Sequence, residues 1–294
     1  YGIPMTGKTS SNALFYNKEI LDEIGEKPPK TWDDVRKIVE KATKDTDGDG
    51  KIDQYGLAQG WGQGFYQDLN WNWYSFLWQN SGEMFDDDGK CILDTPEAIG
   101  AAEFLYELKD KYNALPEDYM SIINSEAFSN YFVKGKAALS FVMCSESNFK
   151  ILDDNPDYFD YGFTIELKGD NGGQGNFSPA DQLVLMSACK NKDLGWKFIK
   201  YMTAGQGAEM AHKADKSAPT TKDEPFNGLE QTKEVMEKCG DKCARPLKAA
   251  RRAPEVYDYL WKTLQEMMND QITPRDAMLK VTEFANSLNY KVSN

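Results

Sequence analysis

Short apolar runs alternating with strongly marked helix starts restrict the fold of this chain more than any other feature. The longest apolar runs, 137–144 and 183–189, are eight and seven residues. That is far short of the ~20 a membrane helix needs, but it suits a buried strand. Three helix starts share one device. Thr31 stands three residues before Asp34, the spacing of a capping box, and Trp32, Val35, Ile38, Val39 and Ala42 follow at helical spacing. Thr95-Pro96 and Thr273-Pro274 each place a side-chain acceptor at the N-cap and a proline at the first helical position, where a missing N–H costs nothing. Behind Thr95 the apolar stripe is Ile99, Ala102, Leu105, Leu108 and Tyr112. Similar patterns predict helices over 17–24, 73–80, 128–133, 192–202, 206–214, 232–239, 254–269 and 274–288. Strands are predicted over 12–16, 137–143, 161–167 and 182–187. Strands interspersed with helices of this length predict an α/β architecture, a sheet covered by helices.

At 294 residues the chain is long enough for one large or two ordinary domains. Its 34 basic and 47 acidic side chains leave a net charge of −13, which repels phosphate backbones and excludes nucleic acid as a ligand. It opens on Tyr1 with neither an initiator Met nor a signal peptide, so a processed or truncated product is expected. Cys91, Cys144 and Cys189 lie in apolar runs and read as small core residues. Cys239 and Cys243 could close a small disulfide loop or be two thiols. His212 is the sole histidine, placed by its helical context at the surface or boundary, and no nucleophile signature accompanies it. The chain therefore leans away from nucleophilic hydrolase chemistry, and zinc is improbable.

Residues 45–53 follow the pattern D-x-D-x-D-G-x-I-D. Alternating carboxylates at Asp45, Asp47, Asp49 and Asp53, with the Lys51 carbonyl, supply hard oxygen donors from one side of a tight loop. Gly56 replaces the bidentate acid of the twelfth position. The pattern favours a structural Ca2+ site over a solvated Asp/Gly turn.

Trp61, Phe65, Tyr66, Trp71, Trp73, Tyr74, Phe76 and Trp78 crowd into eighteen positions. Flat aromatic faces cover the apolar CH faces of sugar rings while polar neighbours bond the hydroxyls. The glycines and amides between these aromatics predict a binding loop. Trp61 and Trp71 are expected in a cleft, and Phe76, Leu77 and Trp78 in the core.

Several segments in order, YGIP…SNALFYNKEILDEIG, PPKTWDDVRKIVEKAT, YGLAQG, WQNSGEMFDDDGKCILDTPEAIGAAEFL, FVKGKAALSFV and LVLMSACKNKDLGWKFIKYMTAGQGAEMA, together with the closing DAMLKVTEFANSL, cover essentially the whole chain. Together they resemble the extracellular solute-binding proteins of carbohydrate ABC importers, the group related to maltose-binding protein. The resemblance implies a periplasmic-binding-protein-like type II fold, a two-lobed clamshell. It implies a crossover segment at 1–11, a second lobe from 12–173 and 229–294, and the remaining part of the first lobe at 174–228. Because a whole segment precedes YGIP in that family, the first lobe is expected to be incomplete, with apolar sheet surface exposed. The implied function is to bind an oligosaccharide or sugar derivative between the lobes and deliver it to a membrane permease, without catalysis. The implied setting is extracellular, as a lipoprotein or periplasmic protein, with the membrane reached only through a lipid anchor outside this chain. Carried over segment by segment, the ligand contacts are Ser10, Ser11, Asn70, Trp71, Ser145, Glu146, Asp181, Arg251 and Tyr257. Ser145 and Tyr257 stand where maltose-binding relatives carry tryptophan, so the ligand preference is expected to differ. Two other classes compete: a carbohydrate-active enzyme using paired carboxylates such as Glu146 and Asp181, and a calcium-stabilised adhesion module.

Overall fold

The computed structural model describes residues 2–5, 11–62, 64, 66–155, 159–179, 181–221, 223–245 and 253–288, with backbone alone at 239–244 and 253. Ser10, Arg251 and the side chains of Cys239 and Cys243 lie outside the described residues, as does any pairing of those cysteines.

The strands are β1 (Gly2–Pro4), β2 (Asn12–Asn17), β3 (Tyr55–Ala58), β4 (Ala137–Met143), β5 (Tyr161–Thr164), β6 (Asn176–Phe177), β7 (Gln182–Val184) and β8 (Ala244–Arg245). The main sheet has the order β3-β4-β2-β5. Within it β2 runs antiparallel to β4 and β5, and β3 lies parallel to β4. Every residue of β2 is buried, because both faces of the sheet are covered. The two-residue period of a strand divides its side chains. Leu14 and Tyr16 enter one hydrophobic cluster, and Ala13 and Phe15 the other. Phe15 meets Phe128, Phe132, Phe149 and Phe163 with ring centroids 5.6–6.4 Å apart. The opposite cluster is built from helices Trp32–Ala42, Tyr74–Gln79, Pro96–Asp110, Ala253–Met268 and Pro274–Ser287.

The predicted caps form. The Thr31 hydroxyl accepts from the Asp34 N–H at 3.3 Å, and Asp34 accepts from the Thr31 N–H at 3.0 Å. Thr95 and Thr273 cap their helices through Ala98 and Asp276. The helix expected from 17 begins at Lys18, because Asn17 spends its side chain on the N–H groups of Glu19 and Ile20. The strand expected over 161–167 ends at Thr164, and the helix expected over 232–239 extends over Glu230–Cys243. No described helix is long and apolar enough to cross a membrane.

Residues 178–228 contribute nothing to either hydrophobic cluster among the described residues. They hold β7, which pairs antiparallel with β1, and the helices Lys192–Thr203 and Gln206–Asp215. Here Val184, Met186, Leu194, Phe198, Tyr201 and Met210 are each 51–66% exposed, and Trp196 is 40% exposed. That is a contiguous stretch of sequence with apolar side chains facing outward, unlike the scattered exposed Leu or Ile of an ordinary surface.

Two expectations fail here. Cys91 and Cys144 are buried, but Cys189 is partly exposed, since its stretch is not covered. His212 is 2% exposed, not a surface or boundary residue. Its Nδ1 lies 2.6 Å from Glu224 Oε1 and its Nε2 lies 2.6 Å from the Met5 carbonyl. Burial alone would lower the His212 pKa, but the Met5 carbonyl and then the Glu224 carboxylate outweigh it, and the net shift is upward.

Candidate ligand-binding site

Most of the aromatic stretch belongs to the core: Trp61, Trp73, Tyr74, Phe76 and Trp78 are all buried in one cluster. Trp61 is 0% exposed and stacks on Trp261, centroids 5.4 Å apart and planes 10° apart. Its backbone N–H donates to the Tyr119 carbonyl at 2.6 Å, and its carbonyl accepts from Gln265 at 2.9 Å. The neighbouring glycines serve close approach. A Cβ on Gly60 would lie 2.4 Å from the Ile122 carbonyl oxygen, and one on Gly62 2.8 Å from it. The cleft assignment of Trp61 is therefore corrected: it is a core tryptophan. Trp78, at 5% exposure, is in the core as expected. The predicted loop is corrected too, since 66–79 forms successive short turns of helix, Tyr66–Asp68, Leu69–Asn72 and Tyr74–Gln79.

Trp71 alone of the described aromatics in this stretch faces a cavity of about 640 Å3, whose wall also includes Asn70 and Asp181. The first residue of β2 fixes the aromatic edge. Asn12 Nδ2 donates to the Asn70 and Trp71 carbonyls at 3.3 Å and to Ser75 Oγ at 3.2 Å. Asp181 is placed by β1: the Met5 N–H donates to the Asp181 carbonyl at 2.7 Å. The far wall is Phe128, Val142 and Met143 with the amide of Asn148, which is held by a 2.9 Å bond to the Met143 carbonyl. Gln67, Ser125 and Ser129 add polar groups at the rim. An aromatic face, apolar patches and scattered hydrogen-bonding groups in one concavity suit an uncharged polar ring with apolar faces.

Sequence reasoning missed Asp68, which also lines the cavity. It is half-buried, and among the described residues nothing donates to its carboxylate or pairs with it. Loss of water pushes its pKa up to about 6. Gly64 makes room for it: a Cβ there would lie 1.6 Å from Asp68 Oδ2. The signal was available, for Asp68 is the sole acid within the aromatic stretch 61–78.

The remaining predicted contacts among the described residues are not on the cavity wall. Ser11 is fully buried, its hydroxyl on the Asn12 carbonyl. Ser145 is an N-cap, accepting from the Asn148 N–H at 3.3 Å. Glu146 follows it, half-buried and outside the cavity wall, its pKa raised by desolvation. Tyr257 is 7% exposed and packs edge-on to Tyr74, 6.0 Å between centroids. It is a core residue, which corrects its assignment as a contact.

In the acidic loop, one oxygen each of Asp45, Asp47 and Asp49 lie within 4.8 Å of one another. Asp45 accepts from the Gly48 and Gly50 N–H groups at 2.6 and 2.7 Å. Those bonds, Gly50 first, hold its carboxyl below the usual range. Asp53 lies outside this trio, accepting instead from the Thr46 N–H and hydroxyl at 2.9 and 2.8 Å. The Lys51 N–H donates to Asp49 at 2.8 Å.

A family profile described as bacterial extracellular solute-binding protein matches residues 1–209. A binding protein of Brucella abortus is 27% identical over 203 residues, covering 69% of this chain and 46% of that one. A maltotriose-binding protein of Pyrococcus abyssi is 27% identical over 207 residues, covering 69% of this chain and 40% of that one. The chain thus spans about half the length of the curated relatives it matches. Among solved structures, an ABC substrate-binding protein of Listeria monocytogenes in complex with cycloalternan superposes with a TM-score of 0.77 at 17% identity, covering 98% of this chain and 71% of that one.

Proposed function

This chain belongs to the bacterial extracellular solute-binding proteins, with the α/β type II periplasmic-binding fold, and from that premise we propose that it binds a carbohydrate and passes it to an ABC-transporter permease. The observation that carries the reading is the cavity that brings Asn70, Trp71 and Asp181 together around an aromatic face. Trp71 is the stacking surface, and Asn70, Asn148 and Gln67 offer hydrogen bonds to hydroxyls. The protein acts outside the cytoplasm, tethered by a lipid anchor beyond this chain or free in a periplasm. The lobe assignment proposed is 12–177 with 229–294 as one lobe, 1–11 as crossover and 178–228 as part of the other; the boundary expected at 173 moves because Phe177 packs in the first cluster. The outward apolar stretch from Val184 to Met210 supports this, being the face that the rest of that lobe would cover.

Asp68 and Asp181 share the cavity, and on that observation a carboxylate-pair enzyme is the second reading. Calorimetric titration against neutral oligosaccharides, with chromatography of the same samples, tests both. Saturable binding with the sugar intact supports transport; released product supports the enzyme and overturns it. We further propose that Asp45, Asp47 and Asp49 hold a structural Ca2+, supported by their converging oxygens.

A further inference from the structure

Among the described residues the cavity wall carries two carboxylates, Asp68 and Asp181, and no Lys, Arg or His. The two are not equivalent. Asp181 is solvent-exposed and its charge is screened. Asp68 is half-buried, roofed by Gly64, and partnered by nothing among the described residues, although it sits at the start of the helical turn Leu69–Asn72, where its side chain could have capped and does not. A carboxylate in this position is costly. Two other partly buried acids are compensated: Glu107 meets Arg36 at 2.8 Å, and Asp34 takes the Thr31 amide and hydroxyl at 3.0 Å; Glu146 keeps one buried oxygen without a partner, but it lies outside the cavity wall. Asp68 alone of these turns an uncompensated charge toward the ligand space. A neutral sugar closing over it would remove its remaining water and give back dipoles only. A ligand ammonium would give back a full opposite charge where little water screens it. An anionic sugar would meet two like charges on the described wall.

We propose that this cavity selects a sugar bearing a basic nitrogen, an amino sugar or its oligomer, with the ammonium seated on Asp68 and the ring on Trp71. The proposal rests on the carbohydrate reading above. It makes Asp68 the residue that reads ligand charge, Trp71 the residue that reads ring shape, and Gly64 the residue that keeps the carboxylate in place.

Calorimetry on the full chain with matched sets differing at one substituent tests it: the amine, the hydroxyl and a carboxylate or phosphate on the same ring, for mono- and disaccharides. The amine member should bind at least about tenfold more tightly than the hydroxyl member, with the anionic member undetectable. Asp68→Asn should bring amine and hydroxyl members to equal affinity, and raised salt should narrow their gap in the unmutated chain. Gly64→Ala, which displaces the carboxylate without removing it, should lower the amine preference too. Equal binding of amine and hydroxyl members, or a preference that survives Asp68→Asn, overturns the inference and leaves the carbohydrate reading standing. No binding by any sugar overturns both. If Asp68→Asn does not fold, the salt dependence decides: a preference unaffected by salt overturns the ion pair.

Discussion

Replacing Trp61 by alanine separates core from platform. Trp61 is fully buried and lies flat on Trp261. A tryptophan removes ~150–250 Å2 from water, which at ~25 cal/mol/Å2 is an upper bound of roughly 4–6 kcal/mol. Large-to-small aromatic replacements in cores cost about 3–5 kcal/mol, including the cavity left behind. The site cannot easily collapse, since Gln265 and Tyr119 hold the Trp61 backbone from both sides. A loss of about 4 kcal/mol is therefore expected, a fall in Tm of roughly 8 °C or more for a chain of this size. Trp71→Ala is the matched control. Trp71 is half-buried on the cavity wall, so its loss should cost under about 1 kcal/mol of stability but about tenfold or more in sugar affinity. Differential scanning calorimetry and ligand titration on both variants read the two quantities. A Trp61→Ala protein that melts normally yet loses sugar would refute the core assignment. A Trp71→Ala protein that fails to fold would remove Trp71 from the platform.

Three further outcomes are expected. Ca2+ at about a hundred times its Kd should stabilise the chain by about 2.7 kcal/mol, and Asp47→Ala with Asp49→Ala should abolish that gain in thermal melts; no Ca2+ dependence in the unmutated chain rules the site out. His212, with its pKa raised, contributes stability that is fully present below its ordinary 6.5 and is lost as pH rises through the higher folded value, so melts of His212→Gln should fall below the unmutated chain in acid and converge with it in alkali. The Asp68 carboxyl, raised from 3.8 to about 6, loses stability over that window as pH rises, so Asp68→Asn should melt higher than the unmutated chain at pH 7 and equally at pH 4, and equal melting at pH 7 would show the carboxylate to be well solvated.

What could be read from sequence was local. Capping boxes and N1 prolines act within four residues, so Thr31, Thr95 and Thr273 marked real helix starts. The buried strands at 12–16 and 137–143 announced themselves by runs apolar but for Asn12 and Ser140, because a sheet covered on both faces has no polar side. Order and resemblance picked out Asn70, Trp71 and Asp181, which the structure brings to one cavity. Glycine was not legible: Gly60 and Gly62 read as loop flexibility but exist to let residue 122 approach. His212 was misplaced because Met5, the acceptor that buries it, is 207 residues away. Tyr257 was misplaced because Tyr74, from a distant segment, packs edge-on to it in the core, and a carried-over position does not show that partner.

Asp68 stands apart from these errors. Capping and burial agree through the main sheet and the helices that cover it, and departures from such agreement are expected chiefly where function requires them. At Asp68 every stability argument points the same way. An asparagine would remove a desolvated charge, an ion-pair partner would offset it, and a side chain on Gly64 would push it out; the chain has none of these. His212, also buried, has both ring nitrogens within 2.6 Å of acceptors, so burial alone does not distinguish Asp68. Its distinction is that the missing partner's place is the cavity itself. A residue kept at a cost to the folded state, beside Trp71 and facing open space, is explained by a partner that arrives from solution.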